Sequence, residues 1–227
     1  MTRQSTSLTR PLPAMALSGL LLLALPVRAV DVALTDDAYT AGYSGYLNTN
    51  YGAAVSLSVS GLSSGAATNR RAWVRFDLAG ALPSGTTWDL VQKATLRVYV
   101  NTVTAAGKIS IMAATAAWTE STLKQNIAPG TRGFDANNTP YVQQTVSVAD
   151  KYVTFDVTEV VRDWMDGTVA NYGIVLVPGD TVINVQLDSK EATANSHPMA
   201  LDITLATRRV NPAGDVSMGQ FTAGPRP

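Results

Sequence analysis

Apolar and polar side chains alternate at period two through much of the chain. The pattern is sharpest at residues 70–78, where Ala72, Val74, Phe76 and Leu78 fall on one side and Trp73, Arg75 and Asp77 on the other. A slip of one residue would exchange the two sets, so this stretch predicts a central strand of pinned register. Shorter alternating runs predict strands at 30–34, 55–59, 94–100, from 109 towards 118, and at 142–148, 152–157, 172–177, 182–187 and 199–205. Within 94–100 the pattern turns Leu96, Val98 and Val100 inward and Arg97 and Tyr99 outward. A helical period occurs once: Val157, Val160, Val161 and Trp164 form an apolar stripe, Asp156 and Glu159 have capping-box spacing, and Gly167 ends it. Residues 36–52, 61–68, 82–86 and 119–140 carry neither period and are rich in turn formers, which predicts loops, the last of them long and lying over one end of the domain. Nine or ten short strands, one helix and no internal repeat define an all-β, jelly-roll-like β-sandwich with one short helix.

The two ends of the chain depart from this pattern. Residues 1–29 contain Arg3 and Arg10 without an acid, then an apolar run at 14–25, then small residues at Val27 and Ala29. These are the marks of a signal peptide cut after Ala29, and a run of twelve residues is short of the roughly 20 that a membrane-spanning helix needs. The expected organisation is a signal peptide at 1–29, a sandwich domain at 30–208 and a flexible Pro/Gly-containing tail at 209–227. Removing the first segment takes away three of 17 basic residues and none of 17 acids, so charge gives the rest no hold on nucleic acid or, after cleavage, on a membrane surface. There is no cysteine, which excludes disulfides, thiolate metal sites and a cysteine nucleophile. An exported chain that dispenses with disulfides points to a bacterial envelope or extracellular setting.

Candidate chemistry is sparse. The one histidine, His197, stands beside Pro198 with no spaced nucleophile and acid, which argues against a Ser-His-Asp relay. Asp77, Glu120, Asp156 and Glu191 could supply the carboxylate pair of a glycosidase, but each sits where a structural role also explains it, so no enzyme is expected. Calcium is the one candidate cofactor, in a structural role, because Asp36, Asp37, Asp135 and Asn137 offer hard oxygen donors in predicted loops; the same spacing also makes ordinary Asx turns. Trp73, Arg75, Arg97, Tyr99 and Lys190 can be read in two ways. They form an outward face that stacks on sugars and neutralises carboxylates, or Arg75, Asp77, Lys190 and Glu191 form a salt-bridge lattice under a covering Trp73. Trp118 and Trp164 read as core plugs.

Several motifs together resemble the DNRLRE-domain family, related to a carbohydrate-binding module for alginate-type polysaccharides. They are Asn48-Thr49-Asn50-Tyr51-Gly52, the Arg71 to Leu78 strand, Ala94 to Val98, Trp118-Thr119-Glu120-Ser121-Thr122, Phe155 to Thr158 with Val161 to Trp164, Asn171-Tyr172-Gly173-Ile174 and Ser189-Lys190-Glu191. One departure is Lys124-Gln125-Asn126-Ile127, where the family usually places an aromatic followed by Asn-Asn. The resemblance implies a secreted, non-catalytic carbohydrate-binding or adhesion module whose partner is a polysaccharide, acidic by preference. A structural matrix or stalk domain without a glycan ligand is the alternative, and a lyase or hydrolase a lesser one.

Overall fold

The computed structural model describes residues 27–61, 69–180, 182–193 and 197–206. Among these are β1 (Val27–Val32), β2 (Leu34–Ala41), β3 (Ser56–Gly61), β4 (Arg70–Phe76), β5 (Val91–Ala105), β6 (Gly107–Ala114), β7 (Thr131–Arg132), β8 (Val142–Val146), β9 (Lys151–Asp156), β10 (Ile174–Pro178), β11 (Ile183–Asp188) and β12 (Ala200–Ala206). All pairings are antiparallel, in the order β1-β12-β5-β11-β3-β4-β10-β6-β7, with β2 joined to β4, β8 to β6 and β9 to β5. The result is an all-β sandwich. β5, fifteen residues long, serves both layers: its first part pairs with β12 and β9 and its last part with β11, with register breaks in both β11 and β12 along it.

The register expected at β4 holds. Ala72, Val74 and Phe76 enter the core between the layers, where they meet Leu96, Val98 and Val100 of β5, Phe155 of β9 and Val160, Val161 and Trp164 of a helix. The opposite side of β4 is buried as well. Trp73 joins Ala38, Met112 and Val175 in a second core on the outer face of the β2-β4-β10-β6 layer, and Trp118 and Leu123 from the segment after β6 close over it. That segment, expected to cover one end of the domain, therefore covers a sheet face; it also contains a 3-10 turn at Gln125–Ile127 and strand β7.

Three local expectations are corrected. β4 ends at Phe76, so Asp77 does not project from the sheet: it caps a one-turn helix, α1 (Leu78–Ala81), accepting the Gly80 amide at 3.0 Å. There are thus two α-helices among the described residues, the second being α2 (Thr158–Asp166) on the predicted stripe and ended by Gly167 at φ +82°. The α2 cap is not the expected box, since Val157 holds the N-cap position and Asp156 Oδ1 accepts from the Thr158 amide and hydroxyl. Asp36 and Asp37 lie on β2, not in a loop; the alternation there is hidden because Asp37 and Thr40 are buried polar residues. The expected signal peptide up to residue 26, the 62–68 connection and the tail from residue 209 onwards lie outside the described residues. β1 starts three residues before the expected cleavage point, with Val27, Arg28 and Ala29 paired to Ala206, Leu205 and Thr204.

Candidate functional site

The residues nominated for one binding face divide between two places. Trp73 is fully buried and donates its Nε1–H to Thr40 Oγ1 at 3.2 Å, with the Trp118 ring edge-on at 6.2 Å. It has no face to offer a sugar. Arg75 lies beside it and is held from two sides: Nε and Nη2 donate to Asp36 Oδ2 at 3.0 and 2.6 Å, and Nη1 donates to the Trp118 carbonyl at 3.3 Å. Its guanidinium also lies 5.7 Å from the Trp118 ring centre. The salt-bridge reading of Arg75 is thus the observed one, with Asp36 rather than Asp77 as partner.

Lys190 is similarly enclosed. Its ammonium donates to Glu120 Oε1 at 2.8 Å and to Glu191 Oε1, while its backbone amide donates to Asp37 Oδ2 at 2.8 Å. Burial works against this ammonium, yet the hydrogen bonds to Glu120 and Glu191 hold it above the ordinary lysine value. Burial raises the Asp37 carboxyl to about 7 despite the Lys190 amide, with Glu191 adding to the rise. Lys190, Asp37, Glu120 and Glu191 are one charged lattice joining β2 to the segment after β6 and to the turn after β11. The other nominated cation loop is self-satisfied: Asp135 Oδ1 accepts the Asn137 and Thr139 amides at 3.0 and 2.9 Å, and Oδ2 accepts the Thr139 hydroxyl. This is the Asx turn foreseen as its alternative, and the Thr139 bonds keep the Asp135 carboxyl below its usual value.

Arg97 and Tyr99 face outward from β5 as expected, and the structure gives them neighbours that no single stretch of sequence displays. Tyr99 stands directly across from Tyr152 of β9, rings edge-to-face at 5.2 Å. His197 stacks flat on Tyr99 at 3.8 Å and meets Tyr152 edge-on at 6.0 Å. His197 Nδ1 donates to Asp188 Oδ2 at 3.0 Å, and Asn101 Nδ2 donates to Asp188 Oδ1 at 2.7 Å and to Ser56 Oγ at 3.0 Å. That bond and the stacking on Tyr99 fix the orientation of the imidazole ring. Arg97 bridges to Asp202 through Nε at 2.6 Å and lies 5.8 Å from the Tyr152 ring centre.

Tyr99, His197, Asn101 and Asp188 line an open groove of about 480 Å³, with Asp150 exposed at its lip. Tyr152 and His197 belong to this candidate site and were not nominated for binding from the sequence. Tyr152 is the most open ring of the group, at 45% exposure, whereas one face of Tyr99 is covered by His197. The cross-strand partner of Tyr99 depends on the β5/β9 register, and His197 reaches the groove from the far side of a connection; neither relation has a local signal.

An exposed Tyr152 ring beside a groove lined by polar side chains, on the face of a β-sandwich, is the kind of surface that suits a flat polar ligand. The chain belongs to carbohydrate-binding module family 96, whose family model matches residues 28–204. No curated protein matches it. Among the described residues no helix is long and apolar enough to cross a membrane.

Proposed function

We propose that this is a secreted, non-catalytic module that binds an acidic polysaccharide of the alginate or pectate type on the Tyr152, Tyr99 and His197 platform. The observation that carries this reading is the open Tyr152 ring beside a groove with polar groups on its walls. A pyranose laid on the ring buries its apolar C–H face while Asp188 and His197 line the groove for its hydroxyls. The acidic preference rests on Arg97. Asp202 takes its Nε, and the two terminal nitrogens have no protein partner among the described residues, so a uronate can take them side by side. Asp150, which also lines the groove, repels a carboxylate and so favours chains that place theirs over Arg97. Lys190 and Arg75 play no part, being consumed by Asp36, Glu120 and Glu191. Contacts this few give weak binding to one site, strengthened by repeated uronates along a polymer.

Affinity electrophoresis in alginate and pectate gels tests the reading. Arg97→Ala removes a charge-assisted hydrogen-bonding group and weakens retention about 10- to 100-fold; Tyr152→Ala weakens it about tenfold. Rising salt weakens the wild type, since both partners are exposed. Arg97→Ala loses no more than about 1 kcal/mol of stability, because the Arg97–Asp202 pair is about 40% exposed on both sides. Retention unchanged in both variants refutes the platform. It would turn attention to Arg70, whose guanidinium lies 4.9 Å from the Tyr43 ring centre at the end of β4. A wild type unretarded by any glycan refutes the binding function and leaves the structural matrix role.

Secretion rests on the N-terminal sequence. Intact mass of the exported protein is expected to place the mature N-terminus at Val30, leaving β1 the Val30, Asp31 and Val32 pairs with β12. A retained Met1 in the membrane fraction would overturn it.

A further inference from the structure

The Lys190 lattice is not balanced by its own members. Asp37, Glu120 and Glu191 come from three separated parts of the chain, and an oxygen of each lies within 4.8 Å of the others. Three carboxylates against the one Lys190 ammonium leave a surplus of two negative charges around Asp37, which is completely buried. The hydrogen bonds account for only one oxygen of each inner carboxylate: Asp37 Oδ2 has the Lys190 amide and Glu191 Oε1 has the Lys190 ammonium. Asp37 Oδ1 and Glu191 Oε2 are buried with no hydrogen-bond partner at all. The Asp37 and Glu191 carboxylates belong to the same cluster of oxygens within 4.8 Å of one another. Buried carboxylate oxygens without donors are among the least tolerated groups in a folded protein, and like-charged ones in contact are worse.

The geometry points to a divalent hard cation, calcium by its chemistry, held by Asp37, Glu120 and Glu191. One divalent ion cancels the surplus of two charges and gives both orphaned oxygens a partner, whereas a single shared proton answers half of each need. All the donors are oxygens, which selects against metals that prefer nitrogen or sulfur. Calcium accepts six to eight oxygens in irregular geometry and takes carboxylates singly or in pairs, so three side chains plus water suffice, while magnesium demands a regular octahedron. Lys190 bonds Oε1 of both Glu120 and Glu191, and thus leaves Glu191 Oε2 to the ion. Bound there, calcium would tie β2 to the Trp118-Thr119-Glu120 segment and to the Lys190–Glu191 turn. It would brace the clasp of Arg75 on Asp36 without touching the sugar platform.

Thermal unfolding of the whole protein, stripped with chelator and returned to calcium, magnesium or chelator alone, provides the test, with metal content measured after dialysis. Calcium about a hundredfold above its Kd raises Tm by roughly 5 to 10 °C, and magnesium by much less. Dialysed protein retains about one calcium per chain, within the range of affinities that oxygen sites of this kind show. Asp37→Asn and Glu191→Gln each abolish the calcium-dependent rise, and Asp135→Asn leaves it intact because that carboxylate is already satisfied by its own loop. Wild-type protein that neither retains calcium nor shifts overturns the site, as does a shift that survives Asp37→Asn or Glu191→Gln. Should Asp37→Asn fail to fold, Glu191→Gln and the wild-type metal content decide the matter.

Discussion

Replacing Trp73 by alanine is expected to cost about 3–5 kcal/mol, the range for emptying a large aromatic from a core. The side chain is fully enclosed in the outer core with Ala38, Met112, Trp118, Leu123 and Val175. Its loss also strips Thr40 Oγ1, itself buried, of the indole donor. Domains of this kind have about 5–15 kcal/mol in all, so much of the margin goes with one side chain. Trp73→Phe keeps most of the apolar area and orphans only the hydroxyl, which costs about 1–3 kcal/mol. Urea denaturation of both variants checks this through a fall in midpoint at unchanged slope. Folded Trp73→Phe should bind polysaccharide as the wild type does. If it is stable but no longer retained, Trp73 belongs with the ligand after all.

Trp73 also shows where strand alternation stops informing. Period two says that Trp73 and Arg75 share a face and that Ala72, Val74 and Phe76 share the other, and both statements hold. It does not say whether the second face meets water. That depends on the segment after β6, which has no period of its own and reaches the sheet through Trp118, whose Nε1 donates to the Tyr172 carbonyl at 2.8 Å, and through Leu123. The same limit hid β2. Asp36, Asp37 and Thr40 look like loop residues by composition, yet Asp36 is matched to Arg75 and Thr40 to Trp73 by partners more than thirty positions away. Polar residues in a strand are legible only when their partners are known.

The site was half legible for a related reason. Arg97 and Tyr99 could be assigned outward because their own strand alternates cleanly. Tyr152 alternates equally well but gains meaning only from standing opposite Tyr99, and His197 only from the stacking and the Asp188 bond that fix its ring. Lys190 was left between a ligand face and a salt-bridge lattice with Glu191; the lattice is the observed arrangement, but nothing local reveals that Glu120, 70 positions earlier, completes its coordination.

Arg75→Ala is expected to destabilise the fold by about 2–3 kcal/mol and to leave polysaccharide retention of the folded protein unchanged. Breaking a buried ion pair by removing one partner costs about 3–5 kcal/mol, and the Arg75 side chain, 34% exposed, moderates this because water reaches its end. Most of the cost falls on Asp36, 17% exposed, which loses both donors the guanidinium gave it and stays charged among the Trp118 segment and β4. The Trp118 carbonyl loses its donor and the Trp118 ring loses its cation, so the lid over the outer core loosens with the pair. Lysine would restore charge but not the fork to Asp36 and Trp118, so Arg75→Lys should recover less than half of the loss. Asp36→Asn with Arg75→Ala should in turn be more stable than Arg75→Ala alone, because the stranded charge is gone. Chemical denaturation gives the three stabilities, and an affinity gel gives retention. If Arg75→Ala stays as stable as the wild type but loses retention, Arg75 is a ligand contact and the clasp has been misassigned.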